Sequence, residues 1–280
     1  PRPSPGGLSI SAPIHKPEPS ALPLKPVTRE FLALVERETG YPVRLVEEPE
    51  LPTLARVQIA RGNVPAHLVQ YRPARDDSVD YLICYQCGFV LRLFETPPAE
   101  RFDLQGAQRG RDEVLRSITG PDSKLAKYGL SNAQMTELAS MFYDGLLTHL
   151  RSIPVGLRVA EWLHENYPEL REGQRTTVLK EIADAKGTLQ PQVRDMTPDR
   201  VYAATQAINA AYGMYWAEQY GLRELATPFQ FAGFERAGRA LLKLWRDTPA
   251  EPAHDRELIE GWAESLGIRD WLQWTPYVAP

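Results

Sequence analysis

Two cysteines, a scatter of histidines and carboxylates, and one run of basic residues are the groups in this chain that could do chemistry. Cys84 and Cys87 stand in "YLICYQCGFVLRLF" as a Cys-x-x-Cys-Gly step, the spacing that offers two thiolates from one tight turn. Zinc binds four ligands in a tetrahedron, so with no further cysteine in the chain the other two would have to be histidines, from His67 nearby or His149 and His164 farther off. The same two thiols could form a redox pair, which requires one of them exposed at a helix start where the dipole lowers its pKa. A third possibility is that both are inert core thiols on a buried helix. Further on, Arg236, Arg239, Lys243 and Arg246 recur at spacings of three and four in "FERAGRALLKLWR". They form either a solvated helix face or a surface for phosphate groups. His67 would line a cleft or serve the structure. His149 borders an apolar helix stripe, His164 lacks a second histidine at ligand spacing, and His254 lies in a proline-rich linker. No Gly-x-Ser-x-Gly, Walker loop or Gly-x-Gly-x-x-Gly is present.

The elements that must position these groups follow from periodicity and punctuation. Residues 1–27 hold eight prolines and read as an extended arm, a linker or a docking segment. Thr28 is a candidate N-cap for a helix over "TREFLALVERETG", with Phe31, Leu34 and Val35 on one face and a stop at Gly40. Three short strands follow in "YPVRLVEE", "ARVQIARG" and "AHLVQYRP", the last two joined near Gly62-Asn63. Asp76, Asp77 and Ser78 offer caps for a helix running to about Phe94. Beyond Pro97-Pro98 the chain reads as helical. Ser131 and Gln134 form a capping-box pair before "MTELASMFYDGLLTHL", and "VGLRVAEWLHENY" and "QRTTVLKEIADAKG" follow. Thr-Pro steps at 197, 227 and 248 announce three more helices, and the terminal "WLQWTPY" either caps the helical core or forms a binding patch.

The frame "DYLICYQCGFVLRLF", placed after a helix and three strands, resembles the active helix of zincin-type metallopeptidases, in particular the small ImmA/IrrE-like domains. That resemblance implies an N-terminal helix, a short sheet and a metal helix carrying His-Glu-x-x-His. Here Tyr85 occupies the first histidine position, Gln86 the glutamate and Phe89 the second histidine. Tyrosine and phenylalanine do not replace two imidazoles at zinc, and Gln86 cannot accept a proton as a carboxylate would. The family draws a third ligand from a later helix, where Glu161 or its neighbour Ala160 stands. The resemblance therefore implies a hydrolase site without its catalytic groups and without a cofactor.

The expected fold is α+β: a proline-rich arm over 1–27, a zincin-like unit over 28–170, and a helical region over 171–280. The expected function is a pseudo-peptidase that binds a protein partner. The alternatives are a zinc peptidase with ligands from His67, Cys84, Cys87, His149 or Glu161, and a helical subunit of a nucleic-acid complex using the 236–246 face. The charge balance of 32 basic against 36 acidic residues gives no overall pull toward nucleic acid or an anionic membrane. No apolar run reaches the roughly 20 residues of a membrane span, and no signal-peptide pattern is read. With only two cysteines, a cytoplasmic location is expected.

Overall fold

The computed structural model describes residues 24–74, 76–120, 123, 125 and 128–280. Most of the expected proline-rich arm lies outside them. The first helix, α1, spans Pro26–Thr39 and ends at Gly40, whose φ of 75° is a left-handed conformation that glycine adopts without steric cost. It starts two residues before the expected cap because Pro26 has its φ already set for a first helical position. Thr28 therefore sits inside the first turn, and its hydroxyl donates to Asp80 Oδ1 at 2.5 Å.

Strands β1 (Val43–Glu47), β2 (Ala55–Gln58) and β3 (His67–Tyr71) form a sheet in the order β1-β3-β2. β1 runs parallel to β3, with Val43 opposite His67, and β2 runs antiparallel to it, with Ala55 opposite Tyr71. Helix α2 (Ser78–Glu95), expected to run to about Phe94, packs against this sheet and against α1. The Ser78 N–H donates to Asp76 Oδ1 at 2.9 Å, so the aspartate before the helix holds its start.

Two features beyond α2 depart from the sequence reading. Strand β4 (Phe102–Gly106) and helix α3 (Gln108–Thr119) intervene before the capping box. The two segments expected after that box are one 35-residue helix, α4 (Asn132–Asn166), which runs through Pro154. A proline inside a helix costs about 3 kcal/mol. Leu150, Pro154, Val155 and Leu157 are all buried around it, and that packing outweighs the lost hydrogen bond. The capping box itself forms as expected: Gln134 N–H donates to Ser131 Oγ, and Ser131 N–H to Gln134 Oε1.

Helices α5 (Arg171–Gly187), α6 (Pro191–Met196) and α7 (Asp199–Tyr220) follow, then α8 (Thr227–Phe231), α9 (Glu235–Asp247) and α10 (Asp255–Ser265). The Thr-Pro steps at 197 and 227 open α7 and α8. The step at 248 does not open a helix: Thr248 closes α9, and α10 begins only at Asp255. The terminal segment is a strand, β5 (Leu272–Pro276), antiparallel to β4 with Gly106 opposite Leu272. Trp271 and Tyr277 at its ends are buried, so this segment completes the core.

The fold is thus α+β, mostly helical after the first sheet. One apolar cluster joins α1, the first sheet, α2 and the end of α4. The larger one runs from Leu104 to Leu272 and draws on both sides of residue 170, as does the β4–β5 pairing. Among the described residues no helix is long and apolar enough to cross a membrane.

Candidate functional site

Helix geometry sends the candidate groups of α2 to different neighbours. At 100° per residue, Cys84 and Cys87 share one face, and Tyr85 and Phe89 another. The two thiols are buried and free, in the cluster that contains Phe31 and Val35 of α1. Burial pushes the Cys84 thiol up to about 12, while a hydrogen bond with Thr28 opposes the shift and the Asp80 charge adds to it. Cys87 is raised too, again mainly by burial, with Cys84 and Glu36 adding. Both thiols stay protonated at neutral pH, whereas a redox cysteine needs a lowered pKa.

His67, on β3, is completely buried. Its Nδ1 accepts from the Ala60 N–H at 3.1 Å, so the proton of the neutral ring sits on Nε2, which donates to Thr39 Oγ1 at 3.0 Å. That hydroxyl in turn donates to the Val35 carbonyl at 2.8 Å. Desolvation lowers the imidazole pKa to about 4. Both ring nitrogens are thus engaged, Nδ1 with the segment after β2 and Nε2 with the end of α1. His149, half-buried on α4, is also lowered by burial, and its Nδ1 has no hydrogen-bond partner. His164 Nδ1 meets Gln174 Oε1 at 2.7 Å.

The face of α2 that carries Tyr85 and Phe89 packs on α4. A Cβ built on Gly156 would lie 2.0 Å from the Tyr85 hydroxyl and 3.3 Å from Phe89 Cζ. On the opposing helix, a Cβ on Gly88 would lie 2.3 Å from Val159 Cγ1. Two glycines thus let the helices approach closely, with the Tyr85 and Phe89 rings at van der Waals contact in the gap. The rings meet each other edge-on at 5.2 Å, and Tyr81 stacks on Tyr85 at 5.6 Å. Gln86 turns away from them and donates to the Ala55 carbonyl of β2 at 3.3 Å. Tyr85 and Phe89 are therefore spent on packing, and Gln86 on one bond to the sheet.

Glu161 lies on α4, where its Oε1 accepts from the Tyr215 hydroxyl at 3.3 Å. Burial raises its carboxyl pKa, and Glu165 adds to the effect. A second carboxyl of this kind, absent from the sequence reading, is Glu181 on α5, which accepts from Tyr212 at 2.5 Å. Tyr212 and Tyr215 stand on α7. Only the fold shows that they face carboxyls. Among the described residues no group of three or more His, Cys, Asp or Glu side chains is placed to hold a metal ion.

The basic face of α9 is largely matched by acids. Arg239 pairs with Glu235 at 2.7 Å, Lys243 with Asp247, and Arg246 with Glu218 at 2.5 Å, while Arg236 is exposed. Such pairs lower the field available to a phosphate backbone. Elsewhere a cleft of about 190 Å³ between α3 and the α6–α7 turn is lined by Glu113, Ser117, Asp195, Met196, Arg200 and Trp271. Trp271 belongs to the terminal "WLQWTPY" and the Thr197-Pro198 step also lines the cleft, whereas His67, Cys84, Cys87, His149, Glu161 and the basic face of α9 do not. Compared with known proteins, the chain matches no family model, no curated protein and no solved structure.

Proposed function

We propose that this chain is a non-catalytic, zincin-like module that works by binding another protein. The observation that carries the reading is the packing of Tyr85 and Phe89 onto α4 at Gly156, with Gln86 turned to the sheet. A peptidase of the resembling kind needs two imidazoles and a carboxylate on that face, aimed at a metal and its water. Here the same positions stabilise a helix crossing. The order of helix, three strands and helix up to α2 supports the resemblance. A zincin-like unit over 28–170 followed by a helical region over 171–280, acting in the cytoplasm on a protein partner, belongs to the same proposal.

The zinc-peptidase alternative draws less support. Cys84 and Cys87 face the α1 cluster, His67 has both nitrogens engaged, and Glu161 is bonded to Tyr215. The nucleic-acid alternative is weakened by the acidic partners of Arg239, Lys243 and Arg246. The test is metal analysis of the purified full chain after incubation with Zn²⁺ and dialysis, alongside cleavage of an unfolded protein substrate. The expected result is substoichiometric zinc and no cleavage. Stoichiometric zinc that is lost in Cys87→Ala or His67→Ala would overturn the reading, as would metal-dependent cleavage.

A further inference from the structure

Glu181 is a carboxyl set among tyrosines at the junction of α2, α5 and α7. Its carboxyl accepts a hydrogen bond from Tyr212 of α7, and among the described residues no Lys or Arg forms an ion pair with it. From α2 it faces Tyr81 and Tyr85, and on its own helix Asp184 adds a like charge. Helix α4 meets α5 two turns away, through His164 and Gln174. Helix α5 is also seated closely on α2 at its other end, where a Cβ on Gly173 would lie 2.2 Å from the Asp77 carbonyl oxygen.

We propose that the Glu181 carboxyl is a proton-sensitive latch, closed when it sits neutral in the junction, that holds α5 over the Tyr81–Tyr85 face of α2. A neutral carboxyl fits this junction with one hydrogen bond. A carboxylate there has the Tyr212 donor, no paired cation and a same-sign neighbour in Asp184, so its charge is poorly compensated. Burial is accordingly the main cause of its raised pKa, with Asp184 adding and the Tyr212 bond opposing. A second, independent observation is that the hydrogen bonding of the same junction is incomplete. Thr177 Oγ1, one turn before Glu181 on α5, and Trp216 Nε1, one turn after Tyr212 on α7, are buried donors without partners. A partly satisfied polar junction tolerates rearrangement better than a closed one. When the proton leaves, α5 loosens from α2 and α7, and Tyr81 and Tyr85 become accessible.

The sign follows from linkage. A carboxyl whose folded pKa is raised contributes stability that is complete below its unfolded value and lost as pH rises through the folded value. The experiment compares the full chain with Glu181→Gln, which keeps the shape and cannot titrate. Thermal midpoints are measured from about pH 5 to about pH 8, together with amide exchange of α5 corrected for its intrinsic rate. The expected result is that the midpoint of the unsubstituted chain falls relative to the variant as pH rises, and that only the unsubstituted chain shows faster α5 exchange. Parallel midpoint curves, or α5 exchange with the same pH course in both, would overturn the latch. Tyr212→Phe gives an independent arm if Glu181→Gln fails to fold. It removes the one bond that favours the charged form, so the change must move to higher pH, and an unmoved midpoint also overturns the proposal.

Discussion

Replacing Asp255 with asparagine should destabilise the protein by about 3 kcal/mol, at the lower end of what breaking a buried ion pair costs. Asp255, at the start of α10, is shared by two guanidinium groups. Arg92 of α2 grips it with a fork, Nε to Oδ2 at 2.8 Å and Nη2 to Oδ1 at 2.6 Å. Arg158 of α4 reaches Oδ1 at 3.3 Å. The side chains of Arg92, Arg158 and Asp255 are only 15%, 3% and 19% exposed, so water screens little of this charge. Both arginines also donate to backbone carbonyls, Arg92 to Ala250 and Arg158 to Thr248. Asparagine keeps the shape and one acceptor but leaves two cations facing each other, which places the cost near the lower bound. With an unfolding entropy of about 2.1 cal/mol/K per residue, 280 residues turn that cost into a fall of about 5 °C in midpoint. Urea titration and calorimetry of the variant measure both quantities. A loss under about 1 kcal/mol, the range of an exposed pair, would refute the reasoning. The cluster also ties α10 to α2 and α4 across residue 170, so the whole transition should shift together. A transition left at its original midpoint would show that the region before 170 unfolds by itself.

Three further outcomes are expected. Gly156→Ala should destabilise by about 1–3 kcal/mol, as overpacking does, and Tyr85→Phe in the same chain should recover part of the loss. A gain of about 1 kcal/mol, usual for alanine replacing glycine in a helix, would show that the contact is loose. His67 is protonated in the unfolded chain near pH 6.5 and in the folded chain only near about 4. Stability should therefore be complete above the first value and fall by about 3 kcal/mol as pH drops to the second, where the decline ends. Urea titrations against pH check this, and His67→Gln should remove the slope. Cys84 and Cys87, buried and protonated, should react with a thiol reagent only as fast as the chain unfolds. Rapid labelling of either thiol in the native chain would contradict their placement.

What the sequence by itself determined is local. Gly40 ends α1 because a left-handed residue is needed there, and Ser131 with Gln134 starts α4 through side chains only three residues apart. The strand-like segments "YPVRLVEE", "ARVQIARG" and "AHLVQYRP" each hold one strand of the first sheet, and the apolar run through Cys84 lies on a buried helix. These signals act over a few residues, so they survive without knowledge of the fold. Tertiary structure decided the rest. Pro154 reads as a break, yet buried neighbours on both sides keep α4 continuous. The terminal "WLQWT" contains no sign of its partner β4, about 170 residues away, because strand pairing depends on which edge the fold leaves open. The candidate site divides in the same way. The sequence shows which residues stand at 85, 86 and 89, and their chemistry follows from their types. That Tyr85 and Phe89 fill a crossing at Gly156, while the cysteines beside them face α1, depends on where α4 and α1 dock around α2. Glu181 and Tyr212 meet only because α5 and α7 pack together, and no spacing along the chain encodes that contact.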